Sequence, residues 1–379
     1  MINLFLIVSL VIVALYCVLI IAFSFLFANY KIKKHNDLSN LPIDFSIIIA
    51  ARNEEKNIEN CLNSINKALL NSNGNHELIV VDDNSTDSTL VKLNQFKNSK
   101  ANVTIIELAK LNLSTKKEAL KAAAKMAKSK WLLFTDGDCV VDADWLVSFQ
   151  NQIANSSAKL VAGPVSILTE NNFLNAFQQL DMFSMTGSAC ASIAMQKPML
   201  CNGANLAVEK QVFDKATEDP TYSKKASGDD VFLLFYVAKN YGAEFISYLK
   251  LNAANVETVA QQNWRDLWLQ RKRWVSKSTA YSSPFMALIS LLVYFSSVAL
   301  LFLACVSVAS PEKKIYFFLA FIAKSVIDFI FLFLVADFFR KVNALIWFIP
   351  VQIVHVLYIC IVPLLSINSK YVWKGRKLK

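Results

Sequence analysis

Hydrophobic and polar positions divide this chain into an apolar beginning, a patterned middle and an apolar end. Residues 2–28 carry no charged side chain, and a run of roughly 20 apolar residues is what a helix needs to cross about 30 Å of hydrocarbon. The run is too long for a cleaved leader and has no small-residue cleavage pattern after it, so it predicts a retained membrane helix. Three further apolar stretches lie at about 284–309, 315–339 and 344–366. The second carries Lys324 and Asp328; four apart, they share a helix face and can neutralise each other as an intramembrane structural pair. Pro350 and Pro363 predict a kinked or incomplete crossing for the third, which is the first candidate for a re-entrant or interfacial segment. His355 there reads as a packed helix residue rather than a ligand.

The middle, from 38 to 283, alternates strand-length apolar runs with helical periodicity and has no internal repeat or low-complexity linker, so one domain is expected. Residues 45–50 read as a strand, followed by a helix with Ile58, Cys61, Leu62, Ile65 and Leu69 on one face. The turn between them carries Arg52, Asn53, Glu54 and Glu55, where a doubly wound sheet presents ligands at its C-terminal edge; capping by Asn53 is the plainer alternative. Residues 78–81 run into Asp82-Asp83 and a helix from about Ser88, with Asn84 and Asp87 read as capping. A strand over 103–108 and a helix over 116–127 follow, and the strand 131–134 delivers Asp136-Gly137-Asp138. Gly228-Asp229-Asp230 opens a helical pattern of Val231, Leu234 and Val237 that Gly242 closes. N-capping is the plain reading for Asp229.

Composition agrees with a membrane protein, since 55% of the 379 residues are hydrophobic. The net charge of +10 would suggest nucleic acid in a soluble chain, but much of it flanks the apolar segments, so anionic headgroups are the expected partner and nucleic acid is not. Lys31, Lys33 and Lys34 after the first span place the middle on the cytoplasmic side of the cell (inner) membrane, in a multi-pass layout. The basic tail, 367–379, with Lys370, Lys374, Arg376, Lys377 and Lys379, argues for the same side, whereas three full C-terminal crossings would put it outside. Seven cysteines without paired metal spacing predict a reduced compartment and no disulfide framework.

Three of these four strands thus run into carboxylate-bearing turns, and at Asp136-Gly137-Asp138 the spacing has chemical meaning. Two carboxylates one residue apart at a strand end can jointly approach a hard cation, Mg2+ or Mn2+, that bridges diphosphate oxygens. The set SIIIAARNEE (46–55), VVDDNSTD (80–87), KKEAL (116–120), Asp136-Gly-Asp138, NGAN (202–205), Gly228-Asp-Asp and QRKRW (270–274) resembles the membrane-bound family 2 glycosyltransferases. That group includes cellulose, hyaluronan and poly-N-acetylglucosamine synthases and ceramide glucosyltransferase. The match covers about residues 43–276, with Ala50 where the family usually has Pro.

The resemblance implies an α/β GT-A fold, a nucleotide-diphosphate sugar donor with UDP as the expected nucleotide, and inversion at the anomeric carbon. It implies a membrane lipid or growing surface glycan as acceptor. Asp82 and Asp83 match the pair on base and ribose, with Glu54 and Lys116 also on the donor; Asp138 matches the main metal ligand, supported by Asp136. Asn202 and Asn205 fall in the acceptor-side loop, where buried amides satisfying backbone are an equal reading. Thr217-Glu218-Asp219 spells the family's usual base signature, but Pro220 follows it, so Asp230, at a helix start with Asp229, is the expected base. Gln270, Arg273 and Trp274, with Lys272 or Arg271 assisting, form the acceptor and diphosphate clamp, since Arg forks onto phosphate oxygens and Trp offers a flat face to a sugar. A processive polysaccharide synthase is the alternative within the family. An aspartyl-nucleophile phosphatase, suggested by Asp136-Gly-Asp-Cys-Val, and an inactive membrane binding module are the alternatives outside it.

Overall fold

The computed structural model describes residues 2–32, 43–100, 102–222, 228–278, 283–366, 371–373 and 376–378. Lys33, Lys34, Lys370, Lys374 and Lys379 of the basic segments lie outside these residues. In chain order the elements are α1 (Ile2–Asn29), β1 (Phe45–Ala51), α2 (Ile58–Asn71), β2 (Glu77–Asp82), α3 (Thr89–Asn98), β3 (Val103–Glu107), α4 (Lys116–Met126) and β4 (Trp131–Asp136). There follow β5 (Cys139–Val141), α5 (Trp145–Ala154), β6 (Leu160–Ala162), β7 (Val165–Ile167), α6 (Phe173–Ala194), β8 (Leu206–Glu209), α7 (Lys210–Glu218) and α8 (Asp229–Asn240). The chain continues through β9 (Ile246–Tyr248), β10 (Val256–Thr258), α9 (Trp264–Ser278), α10 (Pro284–Ala309), α11 (Lys314–Phe338) and α12 (Phe348–Ser366). Packing divides it into two units, one of Lys31–Leu168, Leu200–Ala260 and Val372–Lys379, the other of Met1–Tyr30, Thr169–Met199 and Gln261–Tyr371.

The first unit is the mixed α/β fold that the alternating pattern predicts. Its main sheet has seven strands in the order β3-β2-β1-β4-β8-β6-β9, and a second sheet has the order β5-β10-β7. β3, β2, β1 and β4 run parallel, while β8 is antiparallel to both β4 and β6. Parallel strands covered on both faces read as continuous apolar runs; Ile47, Ile48 and Ile49 of β1 and Ile79, Val80 and Val81 of β2 are all fully buried. Against this sheet α2 turns Ile58, Cys61, Leu62 and Ile65 inward, the face its period predicts.

The second unit is helical and departs from the expectation of one polar domain over 38–283, because 169–199 and 261–278 group with the apolar helices. The cause is α6, which is buried on nearly every side from Asn175 to Ile193 and so has no face to offer solvent. Gly187 lets it approach α11 closely: a Cβ there would lie 2.7 Å from Phe331 Cζ and Val335 Cγ2. Four helices are long and apolar enough to cross a membrane, Asn3–Asn29, Pro284–Ala309, Pro311–Phe338 and Val342–Leu364. Leu6, Val13, Leu300, Leu303, Ala320 and Val356 form their shared core, while Leu4, Val18, Phe25, Leu288, Ile315, Ile353 and Leu364 are exposed, as lipid-facing side chains are. The last span opens as a 3-10 stretch, Val342–Trp347, so Pro350 falls in the first turn of α12 and only Pro363 sits in its interior.

Lys324 and Asp328 do share a helix face, with Lys324 Nζ 2.5 Å from Asp328 Oδ2. Two partners invisible to local spacing complete the set. The Tyr16 hydroxyl of α1 donates to Asp328 Oδ1 at 2.7 Å, and Gln352 Nε2 of α12 donates to Asp328 Oδ2 at 2.7 Å. One carboxylate therefore ties α1, α11 and α12, in surroundings where an unpaired charge is costly. Asp328→Ala leaves Lys324 buried and unpaired, and its expected cost is about 3 kcal/mol. Thermal unfolding of the detergent-solubilised protein, followed by tryptophan fluorescence, checks this: a lowered midpoint is expected, and an unchanged one contradicts it.

Candidate active site

The site is set by strand register in the α/β unit. Ala51, the last residue of β1, pairs with Asp82 on one side, and Ala50 pairs with Asp136 on the other. Two carboxylates thus emerge level at the C-terminal edge of the sheet, flanking a strand that ends in two alanines. Parallel strands place ligands at this edge.

The connections beyond the strand ends are stitched together. Arg52, itself buried, donates from Nη1 to the carbonyls of Asp83 at 2.6 Å and Asn84 at 2.7 Å. The Glu54 amide donates to Thr89 Oγ1 at 2.7 Å, and the buried Glu54 accepts from Asn57 Nδ2 at 3.0 Å. Asn53 and Asn84 both have positive φ, 50° and 55°, a region asparagine tolerates better than most residues. Neither caps its helix: Asn53 Oδ1 accepts from the Thr86 amide at 2.8 Å, and Asn84 Nδ2 donates to the Leu113 carbonyl at 3.1 Å. Asp87 stands one residue before the cap position, Ser88, and accepts from the Thr89 amide at 3.0 Å, so it satisfies the first free amide of α3 without being its cap residue. The Asp136-Gly-Asp138 turn crosses close to this frame, since a Cβ on Gly137 would lie 3.3 Å from Ala51 Cβ and from Glu54 Cγ.

Asp82 and Asp83 are buried, 3% and 1% exposed. Asp82 Oδ2 accepts from the Ser85 amide at 3.2 Å, whereas its Oδ1 has no partner among the described residues. A buried, unpartnered carboxylate oxygen is costly unless a ligand donates to it. Lys116, the first residue of α4, sits where a cation opposes the helix macrodipole. Its compensation is acidic: Nζ lies 2.5 Å from Asp136 Oδ1. Burial lowers the pKa of this ammonium, but the carboxylates of Asp136, Asp229 and Asp230 outweigh that and hold it above its usual value. Charges from β4 and from the start of α8 therefore act on one lysine.

At α8 the cap residue is Gly228, with φ 98°, so Asp229 is the first helical residue rather than the cap. Asp229 lies 3.6 Å from Lys117 Nζ, and its negative charge adds to burial in raising the pKa of the Tyr222 hydroxyl. Lys117 in turn donates to the Tyr222 carbonyl and lies over the Tyr222 ring, 4.4 Å from its centroid. Asp230 is partly exposed, and its Oδ2 accepts from the Gly203 amide at 3.1 Å. Asp219 is engaged elsewhere, accepting from the amide and hydroxyl of Thr221 at 2.7 and 2.6 Å.

The two loop asparagines separate in role. Asn202 Oδ1 accepts from the Ala204 amide at 3.0 Å. Asn205 is fully buried: it accepts from Trp145 Nε1 at 3.0 Å and donates to the carbonyls of Pro164 at 2.7 Å and Ala254 at 2.8 Å. Of the two readings open for Asn205, acceptor wall or buried amide satisfying backbone, these bonds favour the second, a loop staple, because both ends of its amide are consumed inside the protein. Gly163 makes room for it; a Cβ there would lie 2.5 Å from Asn205 Cγ.

The oxygen-only donor set of Asp136 and Asp138 suits a hard cation that completes its shell from diphosphate and water. An all-protein cage is not present: among the described residues there is no group of three or more His, Cys, Asp or Glu placed to hold a metal ion. Cys139, which donates to Asp138 Oδ1 at 3.6 Å, offers no thiolate, since burial first and then Asp138 and Asp136 push its pKa well up.

Gln270–Trp274 belongs to α9 of the helical unit. There Arg271 is no clamp cation. It is 3% exposed, its Nη2 is 2.7 Å from Asp181 Oδ2 of α6, and its guanidinium lies over the Trp274 ring, 4.1 Å from the centroid. Burial raises the Asp181 pKa, and Arg271 with His355 brings it below the usual carboxylate value. His355 Nε2 lies 3.8 Å from Asp181 Oδ1, so this histidine is a packed helix residue as expected. Asp181, Lys117 and Tyr222 are the residues sequence reasoning missed. Asp181 had a signal, as the only charged residue between Phe173 and Ala194.

Residues 46–215 match the family model described as glycosyl transferase family 2, and residues 131–360 match that of glycosyl transferase family group 2. A poly(ribitol-phosphate) beta-glucosyltransferase of Bacillus spizizenii is 34% identical over 119 residues, 31% of this chain and 18% of that protein. An Escherichia coli UDP-Glc:alpha-D-GlcNAc-diphosphoundecaprenol beta-1,3-glucosyltransferase is 25% identical over 161 residues, 41% of this chain and 61% of that one. The chain thus spans less than two thirds of the length of these relatives. Among solved structures, a mannosyltransferase from Pyrobaculum calidifontis in complex with GDP-Man and Mn2+ superposes with a TM-score of 0.58 at 16% identity, covering 94% of this chain and 99% of that one. At that identity the likeness is one of fold, and the fold is GT-A.

Asn205→Ala strips partners from Trp145 and two buried carbonyls, with an expected destabilisation of about 2–3 kcal/mol. Chemical denaturation checks this, and a loss below about 0.5 kcal/mol contradicts the staple.

Proposed function

This chain belongs to glycosyl transferase family group 2, and from that premise we propose that it moves a sugar from a nucleotide-diphosphate donor to a membrane lipid or growing surface glycan, with inversion. The observation that carries the reading is the register that brings Asp82 and Asp136 level at one sheet edge, with Lys116 Nζ 2.5 Å from Asp136 Oδ1 and the charges of Asp229 and Asp230 acting on the same ammonium. Asp82 and Asp83, with Glu54, are assigned to the nucleotide, and the unpartnered Asp82 Oδ1 supports that assignment. Asp138, with Asp136, would hold a divalent cation, Mg2+ or Mn2+, whose chemistry is to neutralise charge on the diphosphate. Lys116 adds a fixed positive charge beside the same carboxylates.

Asp230 is the base. As the acceptor oxygen forms its bond to the anomeric carbon, its proton passes to the Asp230 carboxylate, and the bond from that carbon to the diphosphate oxygen breaks with its electron pair leaving on the diphosphate. Partial exposure and anchoring by the Gly203 amide support this choice; the engagement of Asp219 with Thr221 speaks against the alternative. Asn202 is assigned to the acceptor side, and Gln270, Arg273 and Trp274 keep the acceptor and diphosphate roles that the family motif gives them. UDP as the nucleotide and a lipid-linked acceptor are supported by what the Escherichia coli relative is named for. The four spans support a multi-pass protein of the cell membrane, and the basic residues after the first span support a cytoplasmic catalytic unit.

A donor screen in lipid nanodiscs, scoring nucleotide diphosphate released with and without Mn2+ in the presence of a lipid-extract acceptor, tests the reading. Metal-dependent release from at least one donor is expected; release from none overturns it. Asp230→Asn is expected to cut turnover by about 10²–10⁴-fold with donor affinity retained. If Asp219→Asn is the inactive variant instead, the base is wrongly assigned.

A further inference from the structure

Asp181 and Arg271 lie in the helical unit and outside the donor-binding set, yet they are built as a site. The Asp181 carboxylate of α6 is 9% exposed and faces Arg271 of α9 and His355 of α12. A buried charge survives only if it is paired, and Arg271, 3% exposed, is that pair. The guanidinium does more than neutralise. Its Nη1 donates to Gln270 Oε1 at 3.2 Å, and its plane covers the Trp274 ring at 4.1 Å. One buried cation thus fixes Gln270 and Trp274, residues that are first and last in the motif and have no direct contact of their own with Asp181 among those observed.

The geometry points to Asp181 as a positioning residue: it orients Arg271, and through Arg271 sets the rotamers of Gln270 and Trp274 for the acceptor. Charge is essential to this role. An ionised carboxylate holds the guanidinium by charge as well as by its one close contact, Nη2 to Oδ2 at 2.7 Å, whereas a neutral amide of the same shape offers only one weaker bond and lets the group turn. A guanidinium free to turn loses its stack on Trp274 and its bond to Gln270 together. This inference rests on the acceptor role proposed for Gln270 and Trp274, and its test is arranged to separate the two.

The experiment compares wild type, Asp181→Asn and Asp181→Glu in nanodiscs by two readouts. In acceptor-dependent turnover, Asp181→Asn is expected to raise the apparent acceptor KM by about tenfold with donor KM within twofold, and Asp181→Glu to recover most of the loss. Equal acceptor KM in wild type and Asp181→Asn overturns the positioning role, as does a fall in kcat with both KM values unchanged. The second readout needs no turnover: fluorotryptophan is incorporated, and the Trp274 19F resonance is assigned with Trp274→Phe. Asp181→Asn is expected to shift or broaden that resonance and leave that of Trp145, which lies in the other unit, unmoved. An unmoved Trp274 resonance overturns the inference whether or not the protein is active, while a wild type inert toward every acceptor, with Trp274 responding, overturns only the acceptor role.

Discussion

A single ammonium, that of Lys116, allows acidic side chains from separate parts of the chain to share one sheet edge. Its Nζ lies 2.5 Å from Asp136 of β4, and the charges of Asp229 and Asp230 at the start of α8 act on the same ammonium, so one cation offsets like-charge repulsion among the three. Placing that lysine at the first position of a helix runs against the macrodipole, so the local cost of α4 is met by the carboxylates it serves. Lys117, the next residue, extends the same logic to Asp229 and Tyr222. The edge is therefore balanced but not saturated: Asp82 Oδ1 is buried and unpartnered among the described residues, and Asp230 is partly exposed. Such an edge is suited to a ligand that brings its own charge and donors.

The helical unit solves a related problem in an apolar setting. Asp328 gathers Tyr16, Lys324 and Gln352, and Asp181 gathers Arg271 and His355. In both, one buried carboxylate joins helices distant in sequence. Directional polar contacts of this kind specify which helices meet, where apolar packing among similar side chains discriminates weakly.

Much of the α/β unit was legible because its strands are buried on both faces and so read as unbroken apolar runs ending in Asp82 and Asp136. The choice of Asp230 as candidate base over Asp219 was also made from local signals, a glycine before a periodic helix in one case and a following proline in the other. What the sequence did not disclose is partnership at long range. For Asn205 the family resemblance offered an acceptor wall and the loop offered a buried amide satisfying backbone, and only its bonds to Trp145, Pro164 and Ala254 decide between them. Arg271 looked like a phosphate cation because its neighbours are basic, and only α6 reveals its partner. The assignment of Thr169–Met199 to the helical unit was hidden for the same reason, since α6 contains enough polar residues to resemble a soluble helix and shows its burial only when packed.

The central claim, that this sheet edge receives a nucleotide diphosphate together with a divalent cation, is tested most directly by titrating UDP into the protein by calorimetry with and without Mn2+. The account predicts Mn2+-dependent binding that weakens by about tenfold or more in Lys116→Gln and in Asp82→Asn, each of which removes a charge from the edge. Binding that is indifferent to Mn2+ and equal in wild type and both variants would contradict it.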